Sequence, residues 1–77
     1  MINKNSLKNP LREYREPNDI SRDEVMEKVG VSYQTIYFWE QGRMTPGTDN
    51  MIRLSNMMGV SFEELRKRWK QWEQFSA

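Results

Sequence analysis

The side chains equipped for chemistry gather in one short stretch, Ser32-Tyr33-Gln34-Thr35-Ile36-Tyr37-Phe38, which offers hydroxyls, a carboxamide and aromatic rings. Such groups exchange hydrogen bonds and bury ring surface, and they carry no formal charge. The sequence contains no histidine and no cysteine. That removes the commonest near-neutral general base, the imidazole and thiolate ligands of zinc, and every disulfide. The expected chemistry is recognition: no catalytic residue, no metal site and no cofactor, so the chain does not read as an enzyme.

The elements that must hold these residues come from a chain of 77 residues, one domain with no room for a separate catalytic unit. A domain this small buries only about 60% of its unfolded surface, so its core is thin. No apolar run approaches the roughly 18 residues that span a bilayer, and the start, Met1-Ile2-Asn3-Lys4-Asn5, has no apolar segment of the kind that directs export. A cytoplasmic protein without a membrane partner is expected. Twelve basic and eleven acidic residues leave a net charge of +1, so distribution matters more than the total. Lys4, Lys8, Arg12 and Arg15 lie near the start, and Arg66, Lys67, Arg68 and Lys70 near the end; either group also suits an ordinary solvated helix face.

Turn signals recur at helix-length intervals, and no repeat is visible. A first helix is predicted to open after Asn9, with Pro10 in first position and Leu11 and Tyr14 as its apolar contacts, ending before Pro17-Asn18-Asp19. Ser21-Arg22-Asp23-Glu24 has the capping-box pattern, in which the serine hydroxyl and the glutamate carboxylate each satisfy a backbone amide. The second helix then runs to about Val29 on an inward stripe of Val25, Met26 and Val29, and Gly30 ends it. Ser32 caps a third helix with Ile36 and Trp39 buried, closing at Gln41-Gly42. A fourth starts at Gly47 or Thr48 and carries Met51, Ile52, Leu54 and Met58; a fifth starts from Ser61-Phe62-Glu63-Glu64 and runs toward the C-terminus.

A helix, the short Gly30-Val31 turn and a second capped helix set two helices at a steep angle and project the second. The major groove of B-DNA, about 12 Å wide, admits one such helix. The same spacing serves equally well as a helical corner inside any small bundle.

Residues 11 to 65 resemble the helix-turn-helix domain of the Cro and phage-repressor type, the XRE family. The resemblance rests on Leu11-Arg12-Glu13, Ser21, Gly30-Val31-Ser32, Thr35-Ile36 with Trp39-Glu40, Gly42-Arg43, Pro46, and Leu54 with Gly59-Val60-Ser61 and Glu64-Leu65. It implies an all-α fold, a five-helix lambda-repressor-like bundle with an extended C-terminal helix. It further implies a homodimer on double-stranded operator DNA, with the third helix in the major groove. Carried over by position, Tyr33, Gln34 and Phe38 contact bases, while Arg22, Ser32, Thr35, Tyr37 and Arg43 contact the DNA backbone. Gln34 suits its place, since a carboxamide pairs bidentately with adenine N6 and N7. The chain departs from the family at Arg22, commonly glutamine, and at Met26, commonly small.

The function expected on this resemblance is a sequence-specific DNA-binding transcriptional regulator, of the small phage- or mobile-element repressor type. The third helix, however, has no lysine or arginine on its exposed side but does have Tyr33, Tyr37 and Phe38. Aromatic surfaces suit protein partners. The alternative is a helix-turn-helix-derived modulator that binds another regulatory protein through those rings, as an antirepressor does. Farther on, Phe62, Leu65, Trp69 and Trp72 recur at steps of three and four. Trp69, Trp72 and Phe75 lie beyond the family domain and are expected to form a homodimer contact, or else to cover Ile2 and Leu7. The resulting division is an arm over 1–9, a helix-turn-helix domain over 10–66 and a helical extension over 67–77.

Overall fold

Asn9 organises the start of the fold: its Oδ1 accepts from the Leu11 and Arg12 amides at 3.0 and 3.1 Å, while its Nδ2 donates to the Trp39 carbonyl at 3.1 Å. With Pro10 preset for the first helical position, α1 spans Pro10–Arg15. The computed structural model describes residues 7–75. Ile2 and the rest of residues 1–6 of the expected arm lie outside the described residues, as do 76–77. Four more helices follow: α2 (Arg22–Val29), α3 (Tyr33–Gln41), α4 (Thr48–Met58) and α5 (Phe62–Phe75), with no strand among the described residues.

Local chemistry accounts for most of these boundaries. The hydroxyls of Ser21, Ser32 and Ser61 accept from the amides of Glu24, Thr35 and Glu64 at 3.2, 3.2 and 3.1 Å, satisfying donors that a helix start leaves unpaired. Gly30, with φ of 79°, turns the chain sharply enough for Ser32 to cap α3 two residues later.

Each helix from α2 onward buries a pair three or four residues apart: Val25 with Val29, Ile36 with Trp39, Met51 with Leu54, and Leu65 with Trp69. Leu11 of α1 joins them in one cluster. Full burial of each such side chain stabilises by about 1.5 to 3 kcal/mol. Met26, the departure from a small residue, is half-buried and packs against this cluster. Ile52 of α4 faces outward instead, because one residue past Met51 lies about 100° around the helix. Ser55 takes the inward place, its hydroxyl satisfied by donating to the Ile52 carbonyl at 2.7 Å.

The C-terminal aromatic residues separate in role. Trp69 is 0% exposed and belongs to the core, which corrects the expectation that it forms part of a dimer contact: no surface of it remains to offer. Trp72 packs against that core, its ring edge-on to Trp69 with centroids 6.1 Å apart. Phe75 is exposed. The boundary drawn between 66 and 67 therefore falls within one continuous helix, α5, whose later turn completes the hydrophobic interior.

Candidate nucleic-acid interface

The capped start of α3 determines which of its residues face outward. Ile36 and Trp39 point into the core, so Tyr33, Gln34 and Tyr37 fall on the solvent side, with Thr35 and Phe38 half-buried at its margins. The Gln34 carboxamide makes no hydrogen bond among the described residues, which leaves both its donor and its acceptor available. The Ser32 and Thr35 hydroxyls lie 2.9 Å apart and share one hydrogen bond.

Glu40 sits behind this surface, its side chain 0% exposed. Arg15 donates from Nε to Glu40 Oε2 at 2.9 Å and from its terminal nitrogen to Oε1 at 3.0 Å, and the Arg15 guanidinium also donates to the Ile20 carbonyl at 3.2 Å. Arg22 donates from Nε to Glu40 Oε1 at 3.0 Å, with a terminal nitrogen 2.9 Å from the same oxygen. A buried carboxylate needs such partners, since an unpaired buried charge costs several kcal/mol. Sequence reasoning missed the Arg15–Glu40–Arg22 triad. The signal was available at Glu40, an acid one turn after Ile36 on the inward face, which demands a cation from elsewhere in the chain.

The same Arg22 reaches the outer face of α3. Its remaining terminal nitrogen donates to the Tyr33 hydroxyl at 3.2 Å, and its guanidinium carbon lies 5.8 Å from the Tyr33 ring centroid and 5.6 Å from that of Tyr37. The Tyr33 hydroxyl foremost, and Glu40 after it, push the Arg22 pKa above its ordinary value against the opposing effect of burial. Arg22, expected at a backbone-contact position, thus meets Glu40 on its inner side and the aromatic face of α3 on its outer side.

At the other end of α3, the amides of Gly42 and Arg43 return to the Trp39 and Phe38 carbonyls at 3.3 and 3.0 Å. This reversal, made by a glycine at φ of 78°, brings the Arg43 guanidinium carbon to 5.6 Å from the Phe38 ring centroid. Two arginines from flanking elements thus supply the cations that α3 lacks. The surface combines neutral hydrogen-bonding and aromatic groups on one helix with guanidinium groups at both margins.

The family model for helix-turn-helix domains matches residues 11–65. The chain belongs to the helix-turn-helix family. This is the stretch that carries the sequence resemblance, and α2, the Gly30 turn and α3 form the motif itself. Among similar proteins, an uncharacterized HTH-type transcriptional regulator of Methanocaldococcus jannaschii is 30% identical over 59 residues, covering 77% of this chain and 89% of the relative. A second uncharacterized HTH-type transcriptional regulator, from Archaeoglobus fulgidus, is 27% identical over 59 residues, covering 77% of this chain and 84% of the relative. No solved structure gives a significant match. No helix among the described residues is long and apolar enough to cross a membrane.

Proposed function

We propose that this helix-turn-helix protein is a sequence-specific DNA-binding transcriptional regulator, a small repressor that places α3 in the major groove of operator DNA. The observation that carries this reading is the pair of guanidinium groups, Arg22 and Arg43, stacked on the aromatic face of α3. They give a neutral helix positive margins. Gln34 and Phe38, one turn apart, and Tyr33 face the bases; Ser32, Thr35, Tyr37 and Arg43 serve the backbone. The relatives' names, as transcriptional regulators, support the same reading. It makes the protein cytoplasmic, and a bound operator then blocks polymerase.

Titration with random duplex DNA and with the gene's own upstream region, at several salt concentrations, tests the proposal. Binding that weakens steeply with salt, about 0.9 in log-log slope per phosphate contacted, is the expected result. Gln34→Ala should lose about 1 to 3 kcal/mol of discrimination between sequences if the bidentate contact is made. Absence of any salt-sensitive binding overturns the reading and favours a protein partner for the exposed Tyr33 and Tyr37.

A homodimer is part of the proposal. Trp72 and Phe75 are the C-terminal aromatic residues left for it once Trp69 is in the core, and Phe75 keeps 45% of its surface exposed. Contiguous apolar surface on a small protein marks a contact site.

A further inference from the structure

We propose that the cleft between the start of α4 and one face of α5 is a binding site for a small monocarboxylate with an aromatic or short alkyl body. The site does not depend on the DNA-binding reading, and neither Arg22 nor the aromatic face of α3 takes part in it.

Helical spacing builds one wall. Phe62, Arg66, Trp69, Lys70 and Glu73 recur at steps of three and four along α5 and so share a face, and they line a cavity of about 130 Å³. Thr45 and Pro46 of the loop before α4, with Thr48 and Met51 of α4 itself, form the other side. An apolar cavity of roughly 150 Å³ takes a benzene ring, so this space suits one ring or a short chain, not a nucleotide. Its lining is divided in character. Pro46, Met51 and Trp69 are buried and Phe62 is half-buried, an apolar floor for the body of the ligand, whereas Arg66 and Lys70 are exposed.

The polar groups specify the head of the ligand. Trp69 is 0% exposed, and its Nε1 is a buried donor with no hydrogen-bond partner among the described residues. An indole N–H only donates, and buried donors are seldom left unpaired, so the partner it calls for is an acceptor oxygen. Arg66 and Lys70 form no ion pair among the described residues, which leaves two cations facing the cavity's contents. Glu73, the acid of the lining, accepts from the Thr45 hydroxyl and thereby joins helix to loop; its charge offsets one cation and leaves a net charge of one. The first turn of α4 adds the positive end of its dipole, since Gly47 caps that helix with no side-chain hydrogen bond. A carboxylate answers all of these at once, with one oxygen for the indole, one for a cation and a single negative charge. Inorganic phosphate has no apolar part to cover the floor.

The test follows the Trp69 indole N–H by nitrogen–proton NMR of the full chain during titration with benzoate, hexanoate, benzamide, hexanamide and inorganic phosphate. Wild type is compared with the double variant Arg66→Gln with Lys70→Gln, whose substituted side chains are exposed and leave the core intact. The expected result is a saturable shift of the Trp69 signal with benzoate or hexanoate, while the Trp39 signal stays in place. The corresponding amide should bind at least about tenfold more weakly, because a hydrogen bond to a charged group is the stronger kind. The double variant should lose a similar factor for the acids and none for the amides.

Four results overturn the inference: no saturable shift with either acid at tens of millimolar; an amide that binds as tightly as its acid; phosphate that binds as tightly as either acid; or acid affinity unchanged in the double variant.

Discussion

At the residue scale, the acid at position 40 and the cations around it tie the buried scaffold to the aromatic face of α3. Glu40→Gln leaves the Arg15 and Arg22 guanidinium groups facing an amide that offers one acceptor oxygen and two unwanted donors. Breaking a buried pair by removing one partner costs roughly 3 to 5 kcal/mol; the guanidinium groups retain 12% and 25% side-chain exposure, which argues for the lower end of that range. A urea midpoint lowered accordingly, with the m-value unchanged, is the expected measurement. The exposed pair of Arg12 and Glu16 behaves differently. The Arg12 hydrogen bond holds the Glu16 carboxyl below its ordinary pKa. A lowered folded-state pKa stabilises above the unfolded value, and that stabilisation fades as pH falls through the folded one. Arg12→Ala should therefore return the Glu16 titration, followed by NMR, toward the ordinary carboxylate range. Melting at neutral pH should move little, because solvent screens the pair. Of the site, Tyr33, Gln34, Phe38 and Arg43 were legible as side chains in a motif. The partnership of Arg15, Arg22 and Glu40 was not, because it joins residues 18 and 25 positions apart and no local pattern encodes which of several arginines turns inward.

Elements were far easier to read than side-chain partnerships, for a physical reason. A serine cap acts on an amide three residues away, so Ser21, Ser32 and Ser61 announce their helices within a single turn of sequence. Which apolar residue of α4 faces inward depends on its neighbours, and Ile52 gave its place to Ser55. The glycines that end α2 and α3 share nearly the same left-handed conformation but not the same surroundings. A Cβ on Gly30 meets nothing within 4 Å, whereas one on Gly42 lies 3.2 Å from Trp72 Cη2. Gly30→Ala should cost about 1 kcal/mol from conformation alone. Gly42→Ala adds crowding against a core-facing indole and should cost about 1 kcal/mol more. Thermal unfolding of the two variants side by side checks the difference; equal losses would mean that Trp72 yields freely.

The whole molecule closes only when α5 reaches past the family pattern. The helix-turn-helix match ends at residue 65, yet Trp69 lies in the same buried cluster as Leu11, Trp39 and Leu54, and Trp72 packs against that cluster. Sequence periodicity detected the stripe but not its destination, since a 3,4 spacing is the same whether the partner is the chain's own core or a second copy. Two variants separate these destinations. Ending the chain after Arg66 removes Trp69, and deleting one large buried aromatic side chain alone costs about 3 to 5 kcal/mol, which is most of the stability a domain of this size holds. The shortened chain should lack a cooperative melting transition. Phe75 is exposed and lies outside the buried cluster and the hydrophobic residues packed against it, so melting of Phe75→Ser by circular dichroism at low concentration should match wild type. If the exposed end of α5 is the dimer contact, its sedimentation coefficient at high micromolar concentration should fall to the monomer value while wild type stays dimeric. A wild type that sediments as a monomer throughout, or a Phe75→Ser variant that remains dimeric, would remove the contact from this end of the helix and leave α5 with the single task of completing the core.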